Sequence, residues 1–479
     1  MFDVLTYEKG AAVVRMLEQY LGEEEFRSGI RKYMANHQYG NTETTDLWDA
    51  IEEVSGEPVR RIMDSWIFQG GHPIVSLEAR DGGRTLRISQ EKLQYLHDEP
   101  DATRWAIPLQ LRYALESGEV VSTTALLDDE TLDLPLPEPV AWVVANAQGH
   151  GFYRVRASGP LRASLVAQAQ IVLSDVERYG LVDDTWASVL AGTTTVEDYL
   201  ALADGFTGET DVSVWRRLVS GLDQIDRLAA GDARIALQAR VRVLVGPALE
   251  RLGWEECPDD TDRDRELRGV LIGAMANLGV DPDARARVAE LFERYCADSN
   301  SVEANVAAAV VRATAATAGP AEIDTILEKF QHGETPQEEL RFLYALAEVR
   351  DPKQMARVLE LAMTPAVRTQ NAPFLIGSCI ANRDNGPQAW KLVHERWDEM
   401  NERFPSNSIV RMLSGIRSVT DPALAADIEA FTAEHPVPQA KQTLLQHLER
   451  MKVSVALRER EAPRLTSETA PSRSGRGGR

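Results

Sequence analysis

The chain has 479 residues, 44% of them hydrophobic, which is more than one core accommodates and points to several domains. Its formal net charge of −22 sets it against nucleic acid, and no run of 18 or more apolar residues is long enough to span a membrane. Residues 1–70 read as helices. Val13, Met16, Leu17 and Tyr20 fall at helical spacing, and Gly22 is the expected stop. A second helix is expected from about Glu23 to Ala35. A third follows the capping residues of Asn41 to Thr45 and ends near Gly56, and a fourth starts at Pro58 and ends at Gly70-Gly71.

The period then changes. Ile74 to Leu77 and Thr85 to Ser89 flank Asp81-Gly82-Gly83, a hairpin turn signal. Ile107 to Tyr113 alternates apolar and polar, and Val120-Val121, Trp142 to Val144 and Phe152 to Val155 read as further strands. Six or seven short strands predict a small β-sandwich. From about Leu161 to Lys452 apolar stripes recur at helical spacing, broken at Gly192, Gly205 to Gly208, Gly231, Gly279, Gly319-Pro320, Gly333 and Asp351-Pro352. Helices of this length in successive pairs predict a HEAT- or armadillo-like α-solenoid. The last residues, rich in Pro, Ser, Gly and Arg, predict a disordered tail. The expected organisation is therefore multidomain α+β: helices over 1–72, a sandwich over 73–157, a helical solenoid over 158–455 and a tail over 456–479.

Chemistry-bearing motifs are scarce. The histidines are His37, His72, His97, His150, His332, His394, His435 and His447, and no two stand four residues apart. The two-histidine helical turn of an HExxH zinc site is therefore missing, and the chain is expected to bind no metal of its own. His394-Glu395 begins a partial match, but its place on an amphipathic helix predicts a surface residue. There is no Gly-x-Ser-x-Gly elbow and no phosphate-binding loop. Cys257, Cys296 and Cys379 are widely separated and read as buried free thiols in a reducing compartment.

The order of several short motifs carries more. Phe2-Asp3-x-x-Thr6-Tyr7-Glu8-Lys9-Gly10 with Met16-Leu17, then Tyr39-Gly40-Asn41 with Asp46-Leu47-Trp48, then Trp66-x-x-Gln69-x-Gly71-His72-Pro73 run in sequence. Gln90-Glu91-Lys92, Trp105-x-Ile107-Pro108-Leu109 and Asn146-x-x-Gly149-x-Gly151-Phe152-Tyr153-Arg154 follow. Asp175-x-x-Arg178 with Asp183-Asp184, Glu209-x-Asp211 with Trp215, Ala389-Trp390 to Phe404, and Leu448-Glu449 complete the series. Together they resemble the C-terminal portion of aminopeptidase N-like zinc metallopeptidases, up to about residue 455.

The resemblance implies an enzyme that removes N-terminal residues from peptides, with zinc in the intact enzyme and a peptide as substrate. It implies that Tyr7 donates a hydrogen bond to the oxyanion formed when zinc-bound water attacks the scissile carbonyl. The zinc ligands, base glutamate and amine-gripping strand would lie upstream, in the same or a separate chain, so this chain alone is expected to be inactive. The alternative is a non-catalytic scaffold whose solenoid holds peptides or a protein partner. A cytoplasmic location is expected. If the helices of 1–70 pack on an absent half, apolar residues such as Val13, Leu17 and Trp48 should be partly exposed.

Overall fold

The computed structural model describes residues 5–96, 99 and 101–468. Their contacts divide into two compact units between Thr194 and Thr195.

The first unit opens with helices α1 (Gly10–Leu21), α2 (Glu23–Asn36), α3 (Thr44–Ser55) and α4 (Val59–Ile67). The ends of α1 and α3 lie where the sequence places them, because glycines supply backbone that other residues resist, whereas α4 stops at Ile67, short of the expected Gly70-Gly71. Gly22 closes α1 at φ 93° and Gly56 closes α3 at φ 69°. At the start of α3 the Asp46 carboxylate accepts the Glu43 N–H at 2.9 Å.

Seven strands follow among the described residues: β1 (Pro73–Arg80), β2 (Thr85–Lys92), β3 (Ile107–Leu115), β4 (Val120–Leu127), β5 (Thr131–Pro135), β6 (Val140–Val144) and β7 (Arg154–Ala157). They form a four-stranded sheet, β5-β2-β1-β7, and a three-stranded sheet, β4-β3-β6. The expected hairpin joins β1 to β2 with Leu77 opposite Ile88, while β7 returns parallel to β1. Helices α5 (Gly159–Val172) and α6 (Asp175–Leu190) complete the unit. They belong with the strands, although the sequence reading starts a new domain at residue 158.

One apolar cluster joins the opening helices to both sheets. Val13, Met16, Leu17, Trp48 and Ile62 from the helices join Val75, Ile88, Leu109, Leu111 and Val143 from both sheets. This corrects the expectation that Val13, Leu17 and Trp48 are partly exposed: all three are buried. Their partners are the chain's own strands and helices, so burial needs no other chain. The apolar residues that do face solvent are different ones, among them Met34, Tyr39, Ile67 and Phe68.

The second unit is helical. Its elements are α7 (Val196–Asp204), α8 (Val212–Leu228), α9 (Gly231–Leu252), α10 (Asp262–Asn277), α11 (Pro282–Ala297), α12 (Ala304–Thr317) and α13 (Pro320–Gln331). Then come α14 (Pro336–Ala345), α15 (Pro352–Ala362), α16 (Ala372–Ile380), α17 (Gly386–Glu395), α18 (Trp397–Arg403), α19 (Ser406–Leu413), α20 (Pro422–Glu434) and α21 (Lys441–Glu468). The expected breaks fall between helices, and many starts carry a side-chain cap. Asp351, for example, accepts the Lys353 and Gln354 N–H groups at 2.9 Å. Packing is largely between near neighbours in the chain, such as α10 on α9 and α12 and α13 on α14, while α21 returns to α8 and α9.

That return corrects the tail expected from residue 456. Helix α21 continues to Glu468 through Pro463, and residues 469–479 lie outside the described residues. Met451, Val453 and Leu457 are buried along it, and the buried Glu461 accepts the Val196 N–H at 3.0 Å. A carboxylate bonded 265 positions away leaves no periodic signal in the local sequence. Of the thiols, Cys379 is buried as expected, whereas Cys296 is intermediate and Cys257 is exposed.

Helices α10 and α12 meet across Gly269. A Cβ there would stand 2.7 Å from the Asn305 carbonyl oxygen, a backbone atom that cannot turn aside. Gly269→Ala should therefore destabilise the second unit by roughly 1–3 kcal/mol, despite alanine's better helix propensity. Urea unfolding measures it; an unchanged or raised midpoint would show that the helices are not in such close contact.

Candidate functional site

Tyr7 sits on a π-helical turn, Leu5–Lys9, which runs directly into α1. Turns of this kind are rare and frequent at functional sites. The turn is held at its C-terminal end. Beyond it, Met16 and Leu17 are fully buried, and at its close the Lys9 ammonium donates to the Gln69 carbonyl oxygen at 3.3 Å. Burial of Lys9 lowers its pKa below the ordinary lysine value. Tyr7 itself is 58% exposed. A phenol on a braced turn, directed to the surface, is positioned to meet something outside the unit's own core.

The motifs next in sequence converge on the place where the helices meet the strands. Gln69 donates to the Ser65 and Arg104 carbonyl oxygens, both at 2.9 Å. The Trp66 indole N–H donates to the Ala106 carbonyl oxygen at 3.0 Å, and the Ser65 hydroxyl accepts the Ala106 N–H at 3.1 Å. The Trp66 ring lies near those of Trp105 and Phe152, at 6.0 and 6.1 Å between centroids. Phe152 is close to His72, at 5.9 Å, and its N–H points to the Met16 sulfur at 3.5 Å.

Tyr39 of the second motif is exposed, while later motif residues of the first unit act in the same way as Trp66 and Gln69. The Gln90 amide donates to the Trp105 and Asp129 carbonyl oxygens and accepts the Trp105 N–H at 2.9 Å. Asn146 and Gly151 exchange two hydrogen bonds, and the Tyr153 hydroxyl donates to the Ala145 carbonyl oxygen at 2.7 Å. Arg154 pairs with Asp183 and Asp184, and Asp184 also accepts the Val155 N–H at 2.9 Å. In the second unit the buried Glu209 accepts the Thr210 and Asp211 N–H groups at 2.8 Å. Its carbonyl oxygen accepts the Trp215 indole at 3.0 Å. These residues are joints: each satisfies buried backbone groups at a turn or junction. Tyr7 differs from them in being exposed.

Among the described residues, no three of His, Cys, Asp and Glu stand together in a way that could hold a metal ion. The described residues therefore offer no ligand set for a zinc ion. His394 is exposed on α17 with its ring 4.6 Å from that of Phe431, and His97 lies outside the described residues. Among the described residues, no helix is long and apolar enough to cross a membrane.

Residues 142–453 match the ERAP1-like C-terminal domain, and residues 1–66 match the peptidase family M1 domain. The chain belongs to the ERAP1-like C-terminal domain family, preceded by the end of an M1 peptidase domain. It is 29% identical to Aminopeptidase M1 of Arabidopsis thaliana, over 95% of this chain and 54% of that protein. It is 26% identical to Aminopeptidase 2, mitochondrial, of Saccharomyces cerevisiae, over 94% of this chain and 47% of that protein. It is also 26% identical to Glutamyl aminopeptidase of Rattus norvegicus, over 91% and 47%. The chain spans about half the length of the curated relatives it matches.

The joint gives a pH test. Burial, then the charges of Arg154 and Lys9, hold the His72 pKa down at about 4. The unfolded chain titrates this residue near ~6.5. Between these values only the unfolded state takes up the proton, so His72 lowers stability as pH falls from about 6.5 to about 4. Asp184 works in the opposite sense, because burial raises its pKa to about 6. His72→Gln should therefore gain stability relative to the native chain on acidification through this window. Parallel stability curves for the two proteins, measured by urea unfolding at several pH values, would show that His72 titrates normally.

Proposed function

We propose that this chain is the C-terminal portion of a zinc aminopeptidase that removes N-terminal residues from peptides. The zinc-binding half lies upstream or on a separate chain, and this portion is inactive alone. Tyr7 is the residue it contributes to the chemistry. Its hydroxyl donates to the oxygen of the scissile carbonyl as that oxygen becomes negative. A fixed donor aimed at developing charge contributes roughly 2.7–4 kcal/mol to such a step. The exposure of Tyr7 on a π-helical turn at the head of α1, closed by the Lys9 bond to Gln69, carries this reading.

The exposed Ile67 and Phe68 at the end of α4 support the same reading, as an apolar surface that the peptidase half would cover. The two sheets of the first unit form a small β-sandwich, and the helices of the second unit form a HEAT-like solenoid. The successive helix-on-helix packing supports the solenoid. The protein acts in the cytoplasm on peptides, with no nucleic-acid or membrane partner.

The test uses the protein complete with its zinc-binding half and an aminoacyl arylamide substrate. Tyr7→Phe removes one hydroxyl and should lower kcat by roughly 10²–10³-fold. KM and zinc content should change little, since the donor meets full charge only in the transition state. A variant that keeps its turnover but loses thermal stability would make Tyr7 a packing residue and overturn the reading.

A further inference from the structure

Segments far apart in sequence meet in the second unit around an open cleft of about 610 Å3. That size falls within the range of small-molecule sites, ~300–1,000 Å3. Helix α8 presents Ser220, Gln224 and Arg227 one turn apart. The other walls come from α16, from α19 with the 3-10 turn Ser414–Ser418, and from α21. The cleft exists because its floor is small. A Cβ on Gly415 would stand 2.1 Å from the Gly377 carbonyl oxygen, so the two backbones touch where larger residues would hold them apart. Ser378, Ala381 and Ser454 leave the space above unfilled.

The charge around this space is the reverse of the chain's. The protein carries a net charge of −22, yet the ionisable residues lining the cleft are Arg227, Arg411, Arg417, Arg450 and a single carboxylate, Asp223. Asp223 is already paired with Arg227 at 3.3 Å. Arg411 lies 5.8 Å from the centre of the Phe374 ring, and Arg417 donates through Nε to the Ser414 carbonyl oxygen at 3.0 Å. Among the described residues neither Arg411 nor Arg417 has a carboxylate partner, so both keep N–H groups for a ligand. Other arginines of the unit do meet acids, as with Arg234 on Asp226 and Arg240 on Glu197 and Asp204, whereas Arg242, Arg251 and Arg403 bond to backbone carbonyl oxygens. The positive charge of Arg417 also reaches His447, whose pKa is lowered first by burial and then by that charge.

We propose that this cleft binds a small organic oxyanion, with Arg411 and Arg417 holding the phosphate or carboxylate group and Phe374 supporting an apolar body. Guanidinium groups suit this role because their planar donors match two oxygens at once. A ligand held here would bind independently of the chemistry assigned to Tyr7.

Phenyl phosphate and benzoate, titrated separately into the full chain by calorimetry at low salt, test the proposal. At least one should bind saturably and weaken as salt is raised. The double variant Arg411→Ala/Arg417→Ala should weaken binding by about tenfold or more, the usual loss for charge-assisted hydrogen bonds. Both arginines are exposed and unpaired with acids, so folding should survive, and circular dichroism checks it. Arg368→Ala, an exposed arginine outside the cleft, should leave binding unchanged. Tighter binding of phenyl phosphate would identify a phosphate monoester as the ligand class; equal or tighter binding of benzoate would identify a carboxylate. Absence of saturable binding by both probes, or an equal loss with Arg368→Ala, would overturn the proposal.

Discussion

The first unit depends on one buried amide. Gln90 is almost fully enclosed, and its side chain reads the backbone of two other segments: it accepts from and donates to Trp105 and donates to Asp129. An amide left unsatisfied in such a place costs roughly 1–3 kcal/mol, so its partners are fixed by necessity. Because Trp105 leads into β3 and Asp129 leads into β5, the amide ties β2 to segments entering both sheets. With Trp105 placed, Trp66 has its neighbour and Ala106 offers the carbonyl oxygen that the Trp66 indole needs.

From there the constraint runs outward to the surface. Trp66 and Gln69 secure the end of α4 on the strand entry, and the Gln69 carbonyl oxygen receives the Lys9 ammonium. Lys9 closes the turn that carries Tyr7. An exposed phenol thus inherits its position from a buried glutamine through a chain of short polar contacts. Placement of this kind matters for a group asked to meet a developing charge, since small errors of position remove much of its effect.

The second unit uses polar contacts differently. Its helices are capped locally, by Asp211, Thr261, Asp281 and Asp351 among others, and these caps are visible in the sequence as an acceptor just ahead of an apolar stripe. Between helices, arginines bridge to acids about one helix pair away, as Arg312 to Glu348 and Arg357 to Asp324. The cleft on α8, α16, α19 and α21 gathers several arginines in one place. Positive charge gathers there with few acids to meet it, and small residues keep the helices from closing over it.

Local physics wrote much of the fold into the sequence. Apolar spacing gave α1 to α4, Gly22 and Gly56 gave the ends of α1 and α3, Asp81-Gly82-Gly83 gave the β1–β2 turn, and Gly319-Pro320 and Asp351-Pro352 gave breaks between helices of the second unit. Tyr7 and its neighbours were legible only as an ordered set of motifs, because no single motif is distinctive. Tertiary structure decided the rest. It buried Val13, Leu17 and Trp48 against the chain's own strands, carried α21 past Pro463 to meet Val196, and left Tyr7 and Tyr39 exposed while Trp66, Gln90 and Tyr153 turned inward. It also brought Arg411 and Arg417 to a shared cleft with residues nearly 200 positions earlier. Each of these depends on contacts between segments distant in sequence, and side-chain periodicity reports only which face of an element is apolar, never what that face will meet.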